Sequence, residues 1–494
     1  MEKKLYKPTS GDYNFLMAYP AIEEFALASL GYLWLYRLAD MTEGINAIRC
    51  ATDNLPNLRN IDSIAFSMSF DFDFMGVFEI LEKLNIPFYA KDRDDSYPLV
   101  FAGGPVLTTN PRPYEAFFDF MMIGDGEDGF KKVLEILKNH NKKDALELIK
   151  DVEGIYIPNH PVKKATVKLE DVIYTPIISD KGYFKDTFII EVARGCMNRC
   201  AFCTASYLNL PFRANSFDKI IDSIDLGLNY TNKIALLGAQ ISAHPQFDEI
   251  MKYLSDKIDS GQDIEIGISS LRTDSVTPQM VKTLVKGGQR HSTIAIEAAS
   301  ERLRRFINKN LKEEQILNAV KVARENGLKG LKIYSMIGIP NETYDDLDEF
   351  MRLGKKIKAE NKGFSIEFSF SSFVPKPNTP FQWSMREDTK TLEKKQKYLE
   401  KELAKVGISA KFSSIKWDYW QAVISRADSS FAPFLVEVYK LGGKIGAYKS
   451  ALKDLKLRVK DSFTFDELLP WDIISIEPRK QLLINEYYRL EKRL

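Results

Sequence analysis

Cys196, Cys200 and Cys203 are three of the chain's four cysteines, and they stand in one short stretch at C-x3-C-x2-C spacing. Soft thiolates at such spacing suit an iron–sulfur cluster or zinc. A structural zinc asks for four ligands, usually from two separated pairs, and no second pair of cysteines exists in the sequence. A four-iron cubane held by three thiolates keeps one iron open to a ligand that is not protein. The apolar, β-branched run Phe188 to Val192 leads into the loop. The thiols are therefore expected just past a strand, at the carboxyl edge where parallel α/β folds place their sites. The bland alternative is three cysteines clustered by chance or kept as small buried apolar residues.

The elements that must position such a loop read as two successive α/β units. In the first, strands are expected at Phe15 to Tyr19, Ser63 to Ser69, Leu99 to Ala102 and Phe117 to Ile123, with helices at Ile22 to Leu38, Phe74 to Leu84 and Phe130 to Leu137. This alternation predicts an open, Rossmann-like parallel sheet over residues 1–140. Its glycine turns, Gly103–Pro105 and Gly124–Glu127, fall at strand ends on the usual ligand side. Glycine needed for positive φ at strand-to-helix junctions explains them equally well. A lysine-rich helix and a proline-bearing strand follow, read as a linker over residues 141–187.

From Phe188 the alternation restarts. Strands at Phe188 to Val192, Ile234 to Leu237, Ile264 to Ser270, Thr293 to Ile296, Leu331 to Ile337 and Phe364 to Phe370 give six strand-helix units over residues 188–375, a partial barrel rather than a closed eight-stranded one. On the last strand Ser365, Glu367 and Ser369 share one face, opposite Ile366 and the aromatics. With the apolar face on the helices, the polar face lines a lumen suited to a polar ligand. An edge strand with a solvated face is the alternative. Residues 376–494 read as a mainly helical accessory domain. Its charged helix, Leu392 to Lys405, mixes lysines and glutamates, which argues for a solvated face and against a nucleic-acid-binding arm.

The cysteine loop, with Phe202 as the aromatic before its last cysteine, resembles the radical S-adenosylmethionine (SAM) superfamily. The resemblance implies a 4Fe-4S cluster on Cys196, Cys200 and Cys203, with SAM chelated at the open iron and split reductively into a 5'-deoxyadenosyl radical. It also implies cofactor-binding positions: Phe202 in the loop; Gly238, Ala239 and Gln240 where the family has a Gly-Gly-Glu-type motif; Ser270 and Arg272 after the third strand; Glu297 for the ribose or amino group; Lys332 or Arg272 for the carboxylate; Gly338 and Ile339 at the adenine. Only the first glycine of the Gly-Gly-Glu pattern is present. The glycine turns of the first unit resemble a cobalamin-binding-type domain, giving the order of an uncharacterised subfamily with a cobalamin-type domain ahead of the barrel. The histidine that would ligate cobalt from below is missing, since residues 1–139 contain none. Cobalamin, if held, would be held without a histidine lower ligand; a decayed site or a substrate platform would look the same.

Hydrophobic content of 45% with 28% charged residues describes a globular chain, and a formal charge of +1 gives no overall pull toward nucleic acid or membrane. No run of about 18 apolar residues and no leader peptide is expected, and cysteine usage fits a reducing cytoplasm. Cys50 reads as a packed small residue. The function expected is radical chemistry on an unknown substrate, with cobalamin-assisted methylation first, fed by a reductant such as flavodoxin or ferredoxin. The alternatives are a cobalamin-free radical enzyme, a methylthiotransferase-like tRNA modification, for which the cysteines of a second cluster are missing, and a non-catalytic iron–sulfur scaffold or electron carrier.

Overall fold

The computed structural model describes residues 2–57, 60–476 and 479–494. The first sheet consists of β1 (Tyr13–Tyr19), β2 (Ile45–Ala51), β3 (Ser63–Ser67), β4 (Leu99–Gly103), β5 (Phe120–Met122) and β6 (Ile155–Tyr156) in the order β2-β1-β3-β4-β5-β6. All neighbours are parallel except β6, which runs antiparallel to β5. Its middle strands are apolar on both faces, as a sheet covered on both sides requires. The sheet takes in β6 from the stretch read as a linker, so its first unit runs past residue 140. The helix read over Ile22 to Leu38 is two helices, Glu23–Ala26 and Leu30–Asp40.

The barrel consists of β7 (Thr187–Glu191), β8 (Lys233–Leu237), β9 (Glu265–Ile268), β10 (Leu271–Arg272), β11 (His291–Glu297), β12 (Gly330–Ile337), β13 (Ser365–Ser372) and β14 (Ser409–Phe412). β7-β8-β9 form one parallel run and β10-β11-β12-β13-β14 another, with the third barrel strand broken at Ser269 and Ser270 between β9 and β10. The six expected strands are present. A seventh, β14, extends the barrel from within the region read as accessory: it pairs in parallel with β13, Glu367 opposite Ser409 through Phe370 opposite Phe412. On β13 the apolar face packs outward, with Phe368 and Phe370 edge-on to Phe350 of the helix Tyr344–Glu360.

The connecting helix, Thr389–Lys405, is not a fully solvated surface. Lys395 is buried between Glu342 and Glu387, at 2.8 Å from each, and Leu392, Leu399 and Leu403 join the barrel core. The later helices Ile415–Ser425, Ala432–Lys440 and Ile445–Asp454 turn back to the first unit. Trp420, Phe434 and Tyr448 share one core with Phe66, Phe74 and Phe78. Cys50 lies in that core too, 1% exposed, its thiol pushed up to about 12 by burial. The C-terminal region thus supplies the second covering layer that one face of the N-terminal sheet needs. Among the described residues no helix is long and apolar enough to cross a membrane.

Candidate functional site

The cysteine loop begins where a short antiparallel ribbon, Ala193–Arg194 with Arg213–Ala214, closes its two ends. Gly195 opens the loop at φ 85°, and a Cβ there would stand 2.3 Å from the carbonyl oxygen of Asn209, so only glycine fits. Inside the loop the Ala201 amide donates to the Ile307 carbonyl at 2.9 Å, and the Cys203 amide to the Cys200 carbonyl at 3.0 Å. Phe202 packs against the apolar cluster of Ala201, Phe306, Ile307, Ile339 and Phe381.

Cys196 and Cys200 are buried and Cys203 is half-buried. Burial pushes the Cys200 thiol up to about 11, against the pull of the Lys309 and Arg272 cations nearby. Cys203 is likewise raised by burial. Such thiols are protonated when free, and binding of a metal or cluster must displace their protons. Among the described residues no three His, Cys, Asp or Glu side chains converge on a single ion. A cubane does not ask for that, because each thiolate binds a different iron and the sulfurs stay spread. Three soft donors on one loop, with two cations beside Cys200 to offset added negative charge, fit such a cluster.

The other sequence-predicted residues separate into those at the loop and those away from it. Gln240 is at the loop: its Oε1 lies 3.5 Å from the Cys196 Sγ and accepts from Asn198. Gly238 lets the chain pass closely, since a Cβ there would stand 2.9 Å from the Ala193 carbonyl oxygen, and Ala239 beside it is exposed. Glu297 ends β11 at a register shift with φ 67°, a left-handed conformation rare outside glycine. Its carboxylate accepts from the Lys309 ammonium at 2.9 Å. Arg272 joins this group, donating from Nη2 to the Lys309 carbonyl at 3.3 Å and pairing with Asp274 at 2.7 Å. Ser270 is exposed at the break in the third strand.

Lys332 is not brought to the loop. It stands three residues before Ser335, the register partner of Glu297, which at ~3.3 Å per residue is about 10 Å back along the barrel. Of the two candidate carboxylate partners, only Arg272 lies beside the cysteines. Gly338, at φ 77°, has its amide committed to the Glu342 carboxylate at 2.7 Å, and Ile339 is buried in the apolar cluster behind Phe202. That amide cannot also donate to a ligand.

Lys309 is the residue sequence reading missed. It is 7% exposed, its ammonium is held protonated by Glu297 against the cost of burial, and it follows a helix with no motif of its own. Its signal in the sequence is only a lysine among asparagines after Phe306 and Ile307.

Two cavities flank the loop. One, of about 680 Å³, is bounded by Phe202, Glu297, Tyr334, Ser335, Ser369 and Lys411. Ser369 and Ser371 reach it from the inner face of β13, whereas Glu367 pairs with Lys411 of β14 at 2.9 Å and Ser365 is exposed, so only the carboxyl half of the expected polar face lines the cavity. The Ser335 hydroxyl there is buried and has no protein partner. The other cavity, of about 410 Å³, lies between the carboxyl edge of the first sheet and the loop: Gly103, Gly104 and Gly124 stand on one side, Thr204, Leu208 and Asn209 on the other. Tyr32, Phe66 and Phe101 give it an apolar wall.

The acidic residues of the second glycine turn are spent on holding the two units together. Asp125 pairs with Arg194 at 2.9 Å and Arg213 at 2.5 Å, and Arg194 also reaches Glu127 at 2.7 Å and Glu191 at 2.8 Å. These arginines lie on the two strands of the ribbon that carries the cysteine loop. The Asp125 carboxyl is held below its ordinary range by them, and the Arg194 guanidinium is raised by its three carboxylates despite the cost of burial. One oxygen of Glu127, Oε2, is buried at the cavity rim without a partner. His140, the first histidine in the chain, lies at the opposite, amino edge of the sheet.

A partial parallel barrel with a three-cysteine loop at its carboxyl edge, preceded by an open α/β sheet, defines a class of iron–sulfur α/β proteins. Residues 190–354 match the model of the radical SAM superfamily, and residues 32–158 match the N-terminal model of radical SAM proteins. The uncharacterized protein MJ0966 of Methanocaldococcus jannaschii is 30% identical over 392 residues, 78% of this chain and 82% of that one. The chain belongs to the radical SAM superfamily. An uncharacterized methyltransferase of Pyrococcus horikoshii is 25% identical over 282 residues, 54% of this chain and 60% of that one. A tRNA-2-methylthio-N(6)-dimethylallyladenosine synthase of Bacillus anthracis is 25% identical over 201 residues, 39% of this chain and 38% of that one. Among solved structures, the cobalamin-dependent SAM radical enzyme OxsB, with aqua-cobalamin and SAM bound, superposes with a TM-score of 0.53 at 16% identity. The match covers 70% of this chain and 52% of OxsB, and at that identity it shows the fold.

Proposed function

We propose that the protein binds a 4Fe-4S cluster on Cys196, Cys200 and Cys203 and cleaves SAM reductively to begin radical chemistry, with a corrinoid in the cavity between the two units and methyl transfer as the reaction. The observation that carries the first part is the loop itself, three thiols at the barrel's carboxyl edge with Lys309 and Arg272 beside Cys200. The cluster, when bound, supplies the electron that splits the sulfonium. The chain's own part is binding and orientation. Arg272, with its fork of donors, and the Lys309 ammonium hold the carboxylate; Glu297 accepts from the ribose hydroxyls or the amino group; Gln240 and Gly238 bound the amino end; Phe202, backed by Ile339, walls the adenine. Electrons come from a small carrier such as flavodoxin or ferredoxin, in the cytoplasm.

The corrinoid part is supported by the position of the 410 Å³ cavity, with the sheet's glycine turns on one side and the cysteine loop on the other. Its apolar wall suits a macrocycle, and the unpartnered Glu127 Oε2 suits a peripheral amide donor. The residues named there include no imidazole, so cobalt would meet water, a non-histidine group or nothing beneath it. The names of the Pyrococcus methyltransferase and of OxsB support the same reading. The second reading is a cobalamin-free radical enzyme.

The test is anaerobic reconstitution followed by iron and sulfide counting. Wild type is expected to hold one cluster and release 5'-deoxyadenosine under dithionite, and Cys200→Ala to do neither. A Cys200→Ala protein with full iron and undiminished cleavage would overturn the reading. Purification with hydroxocobalamin decides the rest: corrinoid absorbance retained through gel filtration supports the first reading, and none retained leaves the second. An imidazole nitrogen splitting in the Co(II) spectrum would refute the non-histidine lower face.

A further inference from the structure

Behind the cysteine loop lies the last described helix, Lys480–Glu491, and its contacts reach the backbone that carries Cys200. Leu490 is fully buried in the same apolar cluster as Ala201, Ile307 and Phe381. Beside it Arg489 Nη2, and just past the helix end Arg493 Nη1, donate to the side-chain oxygen of Asn308 at 3.3 Å and 2.9 Å, an oxygen that also accepts from Asn310 at 3.0 Å. Asn308 in turn donates its amide to the Arg199 carbonyl at 2.8 Å, and the Tyr207 hydroxyl donates to that carbonyl at 3.0 Å.

Both backbone positions in this relay are unusual. Arg199 has φ 51° and Asn308 has φ 57°, in the left-handed region where side chains cost free energy unless the surroundings hold them. Asn308 is 7% exposed, so its amide has little water to turn to. Two guanidinium groups on its oxygen polarise the amide and strengthen its N–H as a donor, because hydrogen bonds in a chain reinforce one another. The carbonyl receiving that bond belongs to the peptide that leads into Cys200.

We propose that Arg489, Arg493 and Asn308 are positioning residues for the cluster: the terminal helix, through Asn308, locks the Arg199 peptide and so fixes the Cys200 sulfur. This rests on the reading that the loop holds a cluster. The two arginines stand nearly 300 residues beyond Cys200 in sequence and Asn308 more than 100, and no side chain in the relay ligates iron.

The test uses the full chain, reconstituted anaerobically, as wild type, as an Arg489→Gln and Arg493→Gln double variant, and as Asn308→Asp. The aspartate still accepts from both arginines but has no N–H for the Arg199 carbonyl. The measurements are the rate of iron loss to a ferrous chelator, the spin-resonance spectrum of the dithionite-reduced cluster, and the melting temperature of the iron-free protein. Loss of the bond to the Arg199 carbonyl, or of the guanidinium groups that strengthen it, predicts iron release about tenfold faster in both variants, with an altered spectrum. The iron-free protein is expected to melt within about 3 °C of wild type. Release rates within twofold of wild type would overturn the proposal. So would fast release in the arginine variant with none in Asn308→Asp, since the helix would then act by docking alone. Wild-type iron content reports the cluster reading separately: a wild type that takes up no iron refutes that reading and the relay together, whereas a loaded wild type leaves the variant ratio to judge the relay.

Discussion

Two carboxyl edges face each other across the 410 Å³ cavity, and they use their loops in opposite ways. On the barrel side the loop after β7 turns its chemistry inward: three thiols, buried or half-buried, with Lys309, Arg272 and Gln240 gathered around them. On the sheet side the turn after β5 turns its charges onto the neighbour: Asp125 and Glu127 grip Arg194, and Asp125 also grips Arg213. Both turns are rich in small residues and follow short parallel strands, so local sequence gives them the same look. What separates them is the facing surface. A turn whose polar groups are already satisfied by protein has a structural task first, and only what is left over, such as Glu127 Oε2, is free for a ligand.

The sharpest way to break this contrast is to remove the hub. Arg194→Ala leaves Asp125, Glu127 and Glu191 close together, and among the described residues only Asp125 keeps another cation, Arg213, in contact. Removing one partner of a largely buried ionic group costs about 3–5 kcal/mol. The first denaturant transition is expected to move by that amount, and iron uptake to fall with it because Arg194 precedes Gly195 and Cys196. A change below about 1 kcal/mol would show that the turn does not latch the units.

A pair of glycines separates the two edges more finely. Gly104 has φ 127° and a Cβ there would stand 2.2 Å from the Met68 carbonyl oxygen; Gly195 has φ 85° and meets Asn209 at 2.3 Å. Alanine at either should cost about 2 kcal/mol or more. The expected difference is in the metal: Gly104→Ala keeps the iron content of wild type, Gly195→Ala loses it. Equal iron content in both variants would erase the distinction.

Much of this was legible in the sequence, and the exceptions have physical causes. The six expected barrel strands announce themselves because each buries an apolar face. β14 is hidden because Ser409–Phe412 is a short edge strand with no buried residue. Helix Ile415–Ser425 reads as an aromatic cluster without a face, since Trp417 and Trp420 both pack toward the N-terminal core across a broad surface. Lys395 reads as one lysine among several on a charged helix, and only the fold shows Glu342 and Glu387 on either side of it. The cysteines could be found by spacing alone, but Lys309 could not, because its partners Glu297 and Cys200 are brought to it by two other elements.

Acid titration gives the two regions opposite signs. Asp125 has a depressed pKa, so its stabilisation is present above the ordinary 3.8 and is lost as pH falls through the lower folded value. Glu342, beside the fifth barrel strand, is pushed up to about 7 by burial in spite of Lys395. The folded state then holds a proton that the unfolded state has lost, and stability declines as pH rises from about 4.5 to about 7, by an amount of order 1–3 kcal/mol. Glu342→Gln should flatten that decline, and Asp125→Asn should flatten only the acid limb below about pH 4. Stability measured by denaturant at half-unit steps checks both; a Gln variant with the wild-type slope would show that Glu342 stays ionised through its pairing.

The smallest effect expected comes from an ion pair that looks as good as any in the latch. Lys252 and Asp256 stand 2.5 Å apart, one turn apart on the outer helix Phe247–Asp259, the same separation as Arg213 and Asp125. Distance does not decide its worth. The two side chains are 69% and 60% exposed, so water and salt screen the attraction and both chains give up rotamer freedom to meet. Lys252→Ala should cost only about 0.3–0.5 kcal/mol, with iron uptake unchanged, and the cost should vanish in high salt. At the latch the same geometry is sealed between two units and anchored by several partners at once. If Lys252→Ala cost as much as Arg194→Ala, the contrast between the two regions would lie in pair geometry and not in what surrounds the pair.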